Sequence, residues 1–181
     1  VIVCADRFND MPESDELNNC GIASIPMFIQ LSPYPDLVVT SFPPPGGSAG
    51  GIVFAGENYE LQWIVRNQSN GLNSAVTQSG EWYDRIYFST NPIFNNQTVS
   101  HLKTISHQGN LAVEEEYAAT TTVQIPSYAE DTIYLFVCTD VYNDEYEYVF
   151  EDNNCLVSMP LVIPPALKPD FDLDSIIAPD T

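Results

Sequence analysis

The chain repeats itself at a spacing of 134 residues. Val1–Asp6 reads VIVCAD, and Leu135–Asp140 reads LFVCTD. The match continues in register, because Asn18–Cys20 recurs as Asn153–Cys155 with one additional residue between the second pair of cysteines. A repeat of this length is domain-sized, so each unit is expected to have a hydrophobic core of its own. The pattern predicts a tandem array of domains.

The repeat also predicts that the chain is out of phase with its domains. We expect residues 1–34 to be the C-terminal strands of a preceding repeat plus a linker, residues 35–163 to be one complete domain, and residues 164–181 to be a linker and the first strand of a following repeat. A strand pair without a sheet is marginal in water. We therefore expect either preceding polypeptide or a neighbouring subunit, by strand addition, to complete residues 1–34.

Period-two alternation dominates the pattern of apolar residues. Tyr59, Leu61, Trp63 and Val65 alternate with polar neighbours, which is typical of a half-buried strand. The predicted strands are Asp36–Phe42, Tyr59–Val65, Trp82–Ser89, Leu102–Ser106, Tyr117–Ile125, Ile133–Val137 and Leu156–Ile163, separated by turn-forming stretches such as Pro43–Gly51 and Asn67–Gly80. Seven short strands predict an all-β, immunoglobulin-like antiparallel β-sandwich with Greek-key connections.

The four cysteines occur as two pairs at matching places in the repeat. Disulfides within each unit, Cys4 with Cys20 and Cys138 with Cys155, reproduce themselves from unit to unit, whereas a bond between units does not. Disulfides indicate an oxidising compartment and hence an extracellular, secreted or cell-surface protein. The alternative is four buried free thiols in a cytosolic protein. The spacing lacks the close cysteine pairs and histidines of a structural zinc site.

The formal charge of −20, from 5 basic and 25 acidic residues, excludes two classes of partner. Nucleic acids and anionic membrane surfaces both require clustered Lys and Arg. There is no run of 18 apolar residues, so we expect no membrane insertion. Two N-glycosylation sequons begin at Asn67 and Asn96, which agrees with a secreted glycoprotein.

Several motifs in order resemble a known family. They are DLVV at Asp36–Val39, WIVRNQ at Trp63–Gln68, WYDRIYFST at Trp82–Thr90, VCTD at Val137–Asp140 and EDNN at Glu151–Asn154, with a further match at Asp6–Asn19. The chain from Asp36 to about Val162 resembles the CARDB family, the cell-adhesion-related domains of bacterial surface proteins. This resemblance implies an extracellular sandwich used in tandem, without an established catalytic residue. The cysteine pairs and the many tyrosines depart from the common bacterial pattern.

The loop between Cys138 and Cys155 is the most acidic part of the chain. Calcium takes six to eight oxygen ligands, and a loop fixed at both ends by a disulfide can present them. The candidate calcium ligands are Asp140, Asn143, Asp144, Glu151 and Asp152, and the loop also contains Glu145, Glu147, Asn153 and Asn154. Alternatively, these residues form turns and cap backbone amides, with the Asn-Asn pairs bonding strand-end backbone.

Aromatic residues alternate through the same loop, at Tyr142, Tyr146, Tyr148 and Phe150. They could stack on sugars or meet a protein partner, or they could simply cover the edge of the sandwich. The two histidines, His101 and His107, are accompanied by no catalytic motif, so we expect no enzymatic activity and no cofactor other than calcium.

Two hypotheses follow for the function. The first is a structural repeat unit of an extracellular fibre, stalk or adhesin, whose partners are neighbouring copies or tandem repeats. The alternative is an extracellular adhesion module that binds carbohydrate or protein, with or without calcium. A pure spacer is expected to show no saturable binding of glycans or calcium.

Overall fold

The computed structural model describes residues 1–45, 51–68 and 74–165, and the chain divides into two compact units, Val1–Ser32 and Pro33–Thr181. Most of the predicted turn at Pro43–Gly51, part of the one at Asn67–Gly80 and the strand predicted after residue 165 lie outside the described residues. Within the described residues, the structure has no helix of the length and apolarity that crossing a bilayer requires.

The first unit is a two-stranded antiparallel hairpin. Strand β1 (Ile2–Cys4) pairs with β2 (Cys20–Ile22), so that Cys4 lies opposite Cys20. The side chains of both strands are exposed, including Ile2, Val3 and Ile22. The hairpin therefore has no buried apolar face of its own.

The second unit is the predicted antiparallel β-sandwich. Its strands are β3 (Leu37–Ser41), β4 (Asn58–Asn67), β5 (Glu81–Ser89), β6 (Ser100–Gln108), β7 (Glu116–Gln124), β8 (Asp131–Cys138), β9 (Cys155–Val157) and β10 (Leu161–Ile163). One sheet has the order β3-β4-β7. The other has the order β10-β8-β5-β6, with β9 also paired to β8. The described residues contain no α-helix, so the predicted fold class is confirmed.

Alternating residues of the two sheets build one core between them. Leu61, Trp63 and Val65 of β4 are buried, and they belong to the same cluster as Trp82 and Ile86 of β5. Intervening residues of β4 such as Gln62 face solvent, as the period-two pattern predicts. Burial of these apolar side chains is the main stabilising contribution to such a sandwich.

The closing strand is divided in two, which the sequence pattern did not predict. Strands β9 and β10 both pair with β8, and residues 158–160 interrupt them. Ser158 occupies the gap, where its N–H donates to the carbonyl of Leu135 at 2.7 Å and its Oγ accepts from the Leu135 N–H at 3.0 Å. Pro160 has no N–H to donate. The described part of the second unit thus has eight strands where seven were predicted.

A buried carboxylate joins the two sheets. Asp84 of β5 accepts hydrogen bonds from Trp63 Nε1 at 2.7 Å and from the Tyr117 hydroxyl at 2.8 Å. Trp63 and Tyr117 lie on β4 and β7 of the opposite sheet. Burial raises the pKa of Asp84, and the hydrogen bonds from Trp63, Thr139 and Tyr117 oppose that rise.

Candidate metal centre in the closing loop

The closing loop is defined here as residues 139–154, between the last residue of β8 and the first of β9. Cys138 and Cys155 lie opposite each other in the sheet and form a disulfide. Cys4 and Cys20 form the corresponding disulfide of the first unit. Both predicted pairings are confirmed. The disulfide fixes the two ends of the loop side by side, so its side chains converge over a short distance.

Asp140 organises the first turn of the closing loop. Its Oδ1 accepts a hydrogen bond from the Asp144 N–H at 2.9 Å, and its Oδ2 accepts one from the Glu145 N–H at 3.0 Å. The backbone of Asp140 and Asn143 is left-handed, with φ of 45° and 53°. Asp and Asn tolerate this conformation better than other non-glycine residues do.

The first unit reproduces this turn bond for bond. Asp6, 134 positions before Asp140, accepts from the Asp10 N–H at 2.8 Å and from the Met11 N–H at 3.0 Å. Asp6 is also left-handed, with φ of 40°. The sequence repeat is therefore a structural repeat of the closing loop.

Three carboxylates of the closing loop form the acidic cluster, which consists of Asp140, Glu147 and Glu151. One carboxylate oxygen from each lies within 4.8 Å of the others. Glu147 is at the centre of the hydrogen bonding. Its Oε1 accepts from the backbone N–H of Leu37, and its Oε2 accepts from Asn154 Nδ2 at 2.5 Å. Its own N–H donates to Glu151 Oε1 at 2.8 Å.

Burial and neighbouring negative charges raise the pKa values of two members of the acidic cluster, Glu147 and Asp140. Burial raises the pKa of Glu147 to about 8, and the charges of Glu151 and Asp140 raise it further. Burial also raises the pKa of Asp140 to about 6, against hydrogen bonds from Asp144 and Glu145 that lower it. A positive charge bound among these carboxylates would favour their ionised forms.

Two buried oxygens, one in the acidic cluster and one beside it, have no hydrogen-bond donor. They are Oδ1 of Asn154 and Oε2 of Glu151. Asn154, Glu151 and Asp140 line one open cleft of about 630 Å³. Arg85 also lines this cleft, but its guanidinium donates to Thr104 Oγ1 and to the hydroxyl of Tyr142. The arrangement presents oxygen ligands to a hard cation.

Only some of the predicted calcium ligands belong to the acidic cluster. Asp140 and Glu151 lie in the acidic cluster, whereas the carboxylates of Asp144 and Asp152 lie outside it. Asn143 and Asp152 line the adjoining cleft. The predicted set omitted Glu147. The repeat could have identified Glu147, because a glutamate, Glu13, also occupies the equivalent position 134 residues earlier.

The Asn-Asn pair bonds both neighbouring carboxylates and the backbone at the end of β8. Asn153 Nδ2 donates to Asp36 Oδ1 at 2.9 Å, and Asn154 Nδ2 donates to Glu147. The bond to the strand end uses main-chain atoms, from the Thr139 N–H to the Asn154 carbonyl at 3.0 Å. The predicted bond to strand-end backbone is therefore made by the main chain of Asn154, while the side chains of the pair hold carboxylates in place.

The two sequons differ in accessibility. Asn67 is fully buried at the end of β4, where its Nδ2 donates to the carbonyls of Ala75 at 2.8 Å and Leu111 at 3.0 Å. A glycan on that nitrogen is incompatible with this folded conformation, so the expectation of a glycan at Asn67 is corrected. Asn96 is exposed between β5 and β6, and its glycosylation stays a prediction.

The predicted aromatic surface lies partly against the sandwich. Tyr34 stacks on Tyr148 with ring centroids 5.3 Å apart and meets Tyr146 edge-on at 5.4 Å. Tyr142 lies under the Arg85 guanidinium, 4.8 Å from its ring centroid. All three loop tyrosines nevertheless remain exposed, whereas Phe150 is partly buried.

The two histidines lie apart in different surroundings. His107 stacks on Tyr117 at 3.9 Å and lies 4.2 Å from the ring of Trp82. Burial lowers its pKa. His101 is exposed and bonds Thr104 Oγ1 at 2.9 Å.

Solved structures similar to this chain include two of CARDB domains. The crystal structure of the CARDB domain of a Pyrococcus furiosus protein, in complex with di-metal ions, is 20% identical with a TM-score of 0.47, and the match covers 75% of this chain and 95% of that chain. A solution NMR structure of the same domain is 19% identical with a TM-score of 0.45, covering 72% and 96%.

Spo0M, a sporulation control protein of Bacillus subtilis, is 9% identical with a TM-score of 0.37, and the match covers 74% of this chain and 49% of that chain. No protein-family model matches the chain, and no curated protein matches it.

Proposed function

We propose that this chain is a structural repeat unit of an extracellular fibre, stalk or adhesin, built end to end from β-sandwich domains. The observation that carries the proposal is the equivalence of the two disulfide-closed loops. The Ala5 N–H donates to the Asn19 carbonyl at 2.9 Å, and the equivalent Thr139 N–H donates to the Asn154 carbonyl at 3.0 Å. A chain that carries the same closing hairpin twice has the organisation of a domain array.

The exposed apolar side chains of β1 support the same conclusion. Ile2 and Val3 are 64% and 69% exposed, whereas their equivalents Phe136 and Val137 in β8 are 2% and 0% exposed. Burying such side chains is worth about 1.5–3 kcal/mol each. Strand β1 therefore has the composition of a central strand that belongs between other strands of a sheet.

Compartment and charge fit an extracellular array. Both units are closed by a disulfide, and disulfides persist in oxidising compartments. The charge of −20 keeps neighbouring arrays apart by repulsion and favours solubility. An elongated scaffold needs these properties more than it needs a catalytic site.

Hydrogen exchange of the native protein, as isolated from its source, tests the proposal. The amides of Ile2–Cys4 should exchange as slowly as those of Phe136–Cys138, because both strands would lie within complete sheets. If the amides of Ile2–Cys4 exchange at the rate of an unstructured peptide, the proposal is wrong. The mass of the reduced and deglycosylated protein then tells whether tandem repeats in one chain or separate subunits complete the sheet.

The exposed tyrosines favour a second candidate function, an adhesion module. Tyr142, Tyr146 and Tyr148 are 56%, 60% and 42% exposed at the end of the sandwich that carries the closing loop. Tyrosine combines an apolar body with a polar tip and is enriched at interfaces. Calorimetric titration with a panel of glycans separates the two candidates, because a pure spacer gives no saturable heat.

A further inference from the structure

The three carboxylates of the acidic cluster form no ion pair with a basic side chain in the part of the chain that the structure describes. Among the described residues, both ion pairs are made by Arg66 on β4, with Glu114 and Glu116, and neither involves the closing loop. One oxygen from each of Asp140, Glu147 and Glu151 lies within 4.8 Å of the others. This spacing matches oxygens around one Ca²⁺, because ligands at about 2.4 Å from the ion lie at most about 5 Å apart.

Asn154 adds an independent indication. It is only 6% exposed, yet its Oδ1 accepts no hydrogen bond. Its Nδ2 lies 2.5 Å from Glu147 Oε2, which sets the amide head against the cluster. A buried acceptor without a donor costs about 1–3 kcal/mol. Oε2 of Glu151, a member of the cluster, is a second buried oxygen without a hydrogen-bond donor.

We propose that Asp140, Glu147, Glu151 and Asn154 bind one Ca²⁺ ion at the inner end of the cleft. All four ligands are oxygens, which hard cations prefer, and both cysteines at the loop ends are consumed in a disulfide. Because the cleft opens to solvent, water completes the coordination. The ion joins the closing loop to β3, since Glu147 also accepts from the Leu37 N–H.

Calorimetric titration of the chelator-treated full chain with CaCl₂, at constant ionic strength, tests the proposal. The wild-type chain should bind one Ca²⁺ with a Kd of about 1 mM or tighter, as extracellular calcium modules do. Glu151→Gln keeps the Oε1 that accepts from Glu147 and removes the charge, so binding should weaken by about tenfold or more.

Asp152→Asn is the matched control, because it removes the same charge from the adjacent residue, outside the acidic cluster. Asp152 lines the cleft without contributing to the cluster, so losing its charge should weaken binding by about threefold at most, clearly less than Glu151→Gln does. Absence of saturable binding by the wild type at about 10 mM CaCl₂, well above that range, overturns the proposal. Equal weakening by both substitutions also overturns it, because diffuse attraction to an acidic loop has that signature.

If Glu151→Gln fails to fold, NMR of the wild-type chain tests whether Ca²⁺ binds at the acidic cluster. Addition of CaCl₂ should shift the amide signals of Leu37 and Glu147, whose N–H groups donate to Glu147 Oε1 and Glu151 Oε1. Leu37 lies 110 positions before Glu147 in sequence, and its buried N–H donates to that carboxylate, so its amide signal reports on Glu147 itself. Shifts confined to exposed acidic residues overturn the proposal.

Discussion

The carboxylate of Glu147 accepts a hydrogen bond from the backbone N–H of Leu37, 110 residues earlier in the chain. Leu37 is the first residue of β3, whereas the closing loop connects β8 to β9 in the other sheet. Asn153 makes a parallel link to Asp36. The closing loop therefore connects the two sheets at one end of the sandwich through side-chain hydrogen bonds, in addition to the contacts of the apolar core.

Truncation of Glu147 should destabilise the sandwich. Glu147→Ala leaves the buried Leu37 N–H without an acceptor and opens a cavity, at a cost of about 2–4 kcal/mol. Glu147→Gln retains an oxygen for Leu37 and should cost less than half of that. Urea denaturation in the presence of a chelator measures both. Equal costs for the two variants would show that the carbonyl oxygen at this position contributes nothing.

Metal-free protein should lose stability as the pH rises. The pKa of Glu147 is raised in the folded state from 4.5 to about 8, so the folded chain keeps a proton that the unfolded chain releases. Its contribution is fully present below pH 4.5 and is lost as the pH rises towards 8. Asp140 acts in the same direction between 3.8 and about 6.

Comparison with Glu147→Gln isolates this effect, because the other titrating groups cancel. His107, whose pKa is lowered, acts in the opposite direction, since its contribution is lost as the pH falls below 6.5. Thermal unfolding of both chains should be measured in chelator from about pH 5 to about pH 8. The Tm of wild type should fall relative to the Tm of the variant as the pH rises. A difference in Tm that does not change with pH would contradict the prediction.

Asp84 should be the most sensitive polar position of the core. Asp84→Ala removes the acceptor shared by Trp63 Nε1 and the Tyr117 hydroxyl, which should cost about 3–5 kcal/mol. Asp84→Asn retains one acceptor oxygen and should lie between wild type and alanine. Denaturation followed by tryptophan fluorescence measures the loss. An alanine variant within about 0.5 kcal/mol of wild type would contradict it.

Local periodicity was sufficient to predict most strands. The alternation that buries Leu61, Trp63 and Val65 is a property of the strand itself, so no knowledge of the partner sheet was needed. The repeat likewise aligned Asp6 with Asp140, and both are followed by Asn and Asp at the third and fourth positions, so the two turns are alike. Both features depend on contacts near in sequence or on self-similarity.

Buried polar residues were harder to predict, because charge suggests exposure. Asp84 has the same parity as Trp82 and Ile86, and Asn67 continues the inward series that ends in Val65. The period-two pattern thus places both residues on the buried side of their strands, although polar side chains are usually exposed. Glu147 lies in a loop, where no period-two pattern indicates which side chains are buried. Its burial depends on Leu37, in a strand that only the tertiary fold brings near.

Glycosylation should be confined to Asn96. Asn67 lies buried and donates two hydrogen bonds through the nitrogen that a glycan would occupy, whereas Asn96 is exposed. Enzymatic release of N-glycans in H₂¹⁸O, followed by peptide mass spectrometry, should label Asn96 and leave Asn67 unlabelled in secreted protein. Labelling of Asn67 in folded protein would show that the end of β4 adopts another conformation.

The two disulfides should contribute in different ways. In the sandwich, β9 is held by β8 as well as by Cys138–Cys155, so replacing both cysteines by serine should cost about 3 kcal/mol without loss of the fold. The first unit has only the pairing of β1 with β2, and an isolated hairpin is marginal in water. In the 181-residue chain by itself, replacing Cys4 and Cys20 by serine should therefore abolish amide protection in β1 while β8 stays protected. Hydrogen exchange measures both strands in one sample, and slow exchange of β1 without its disulfide would show that the hairpin has another source of stability.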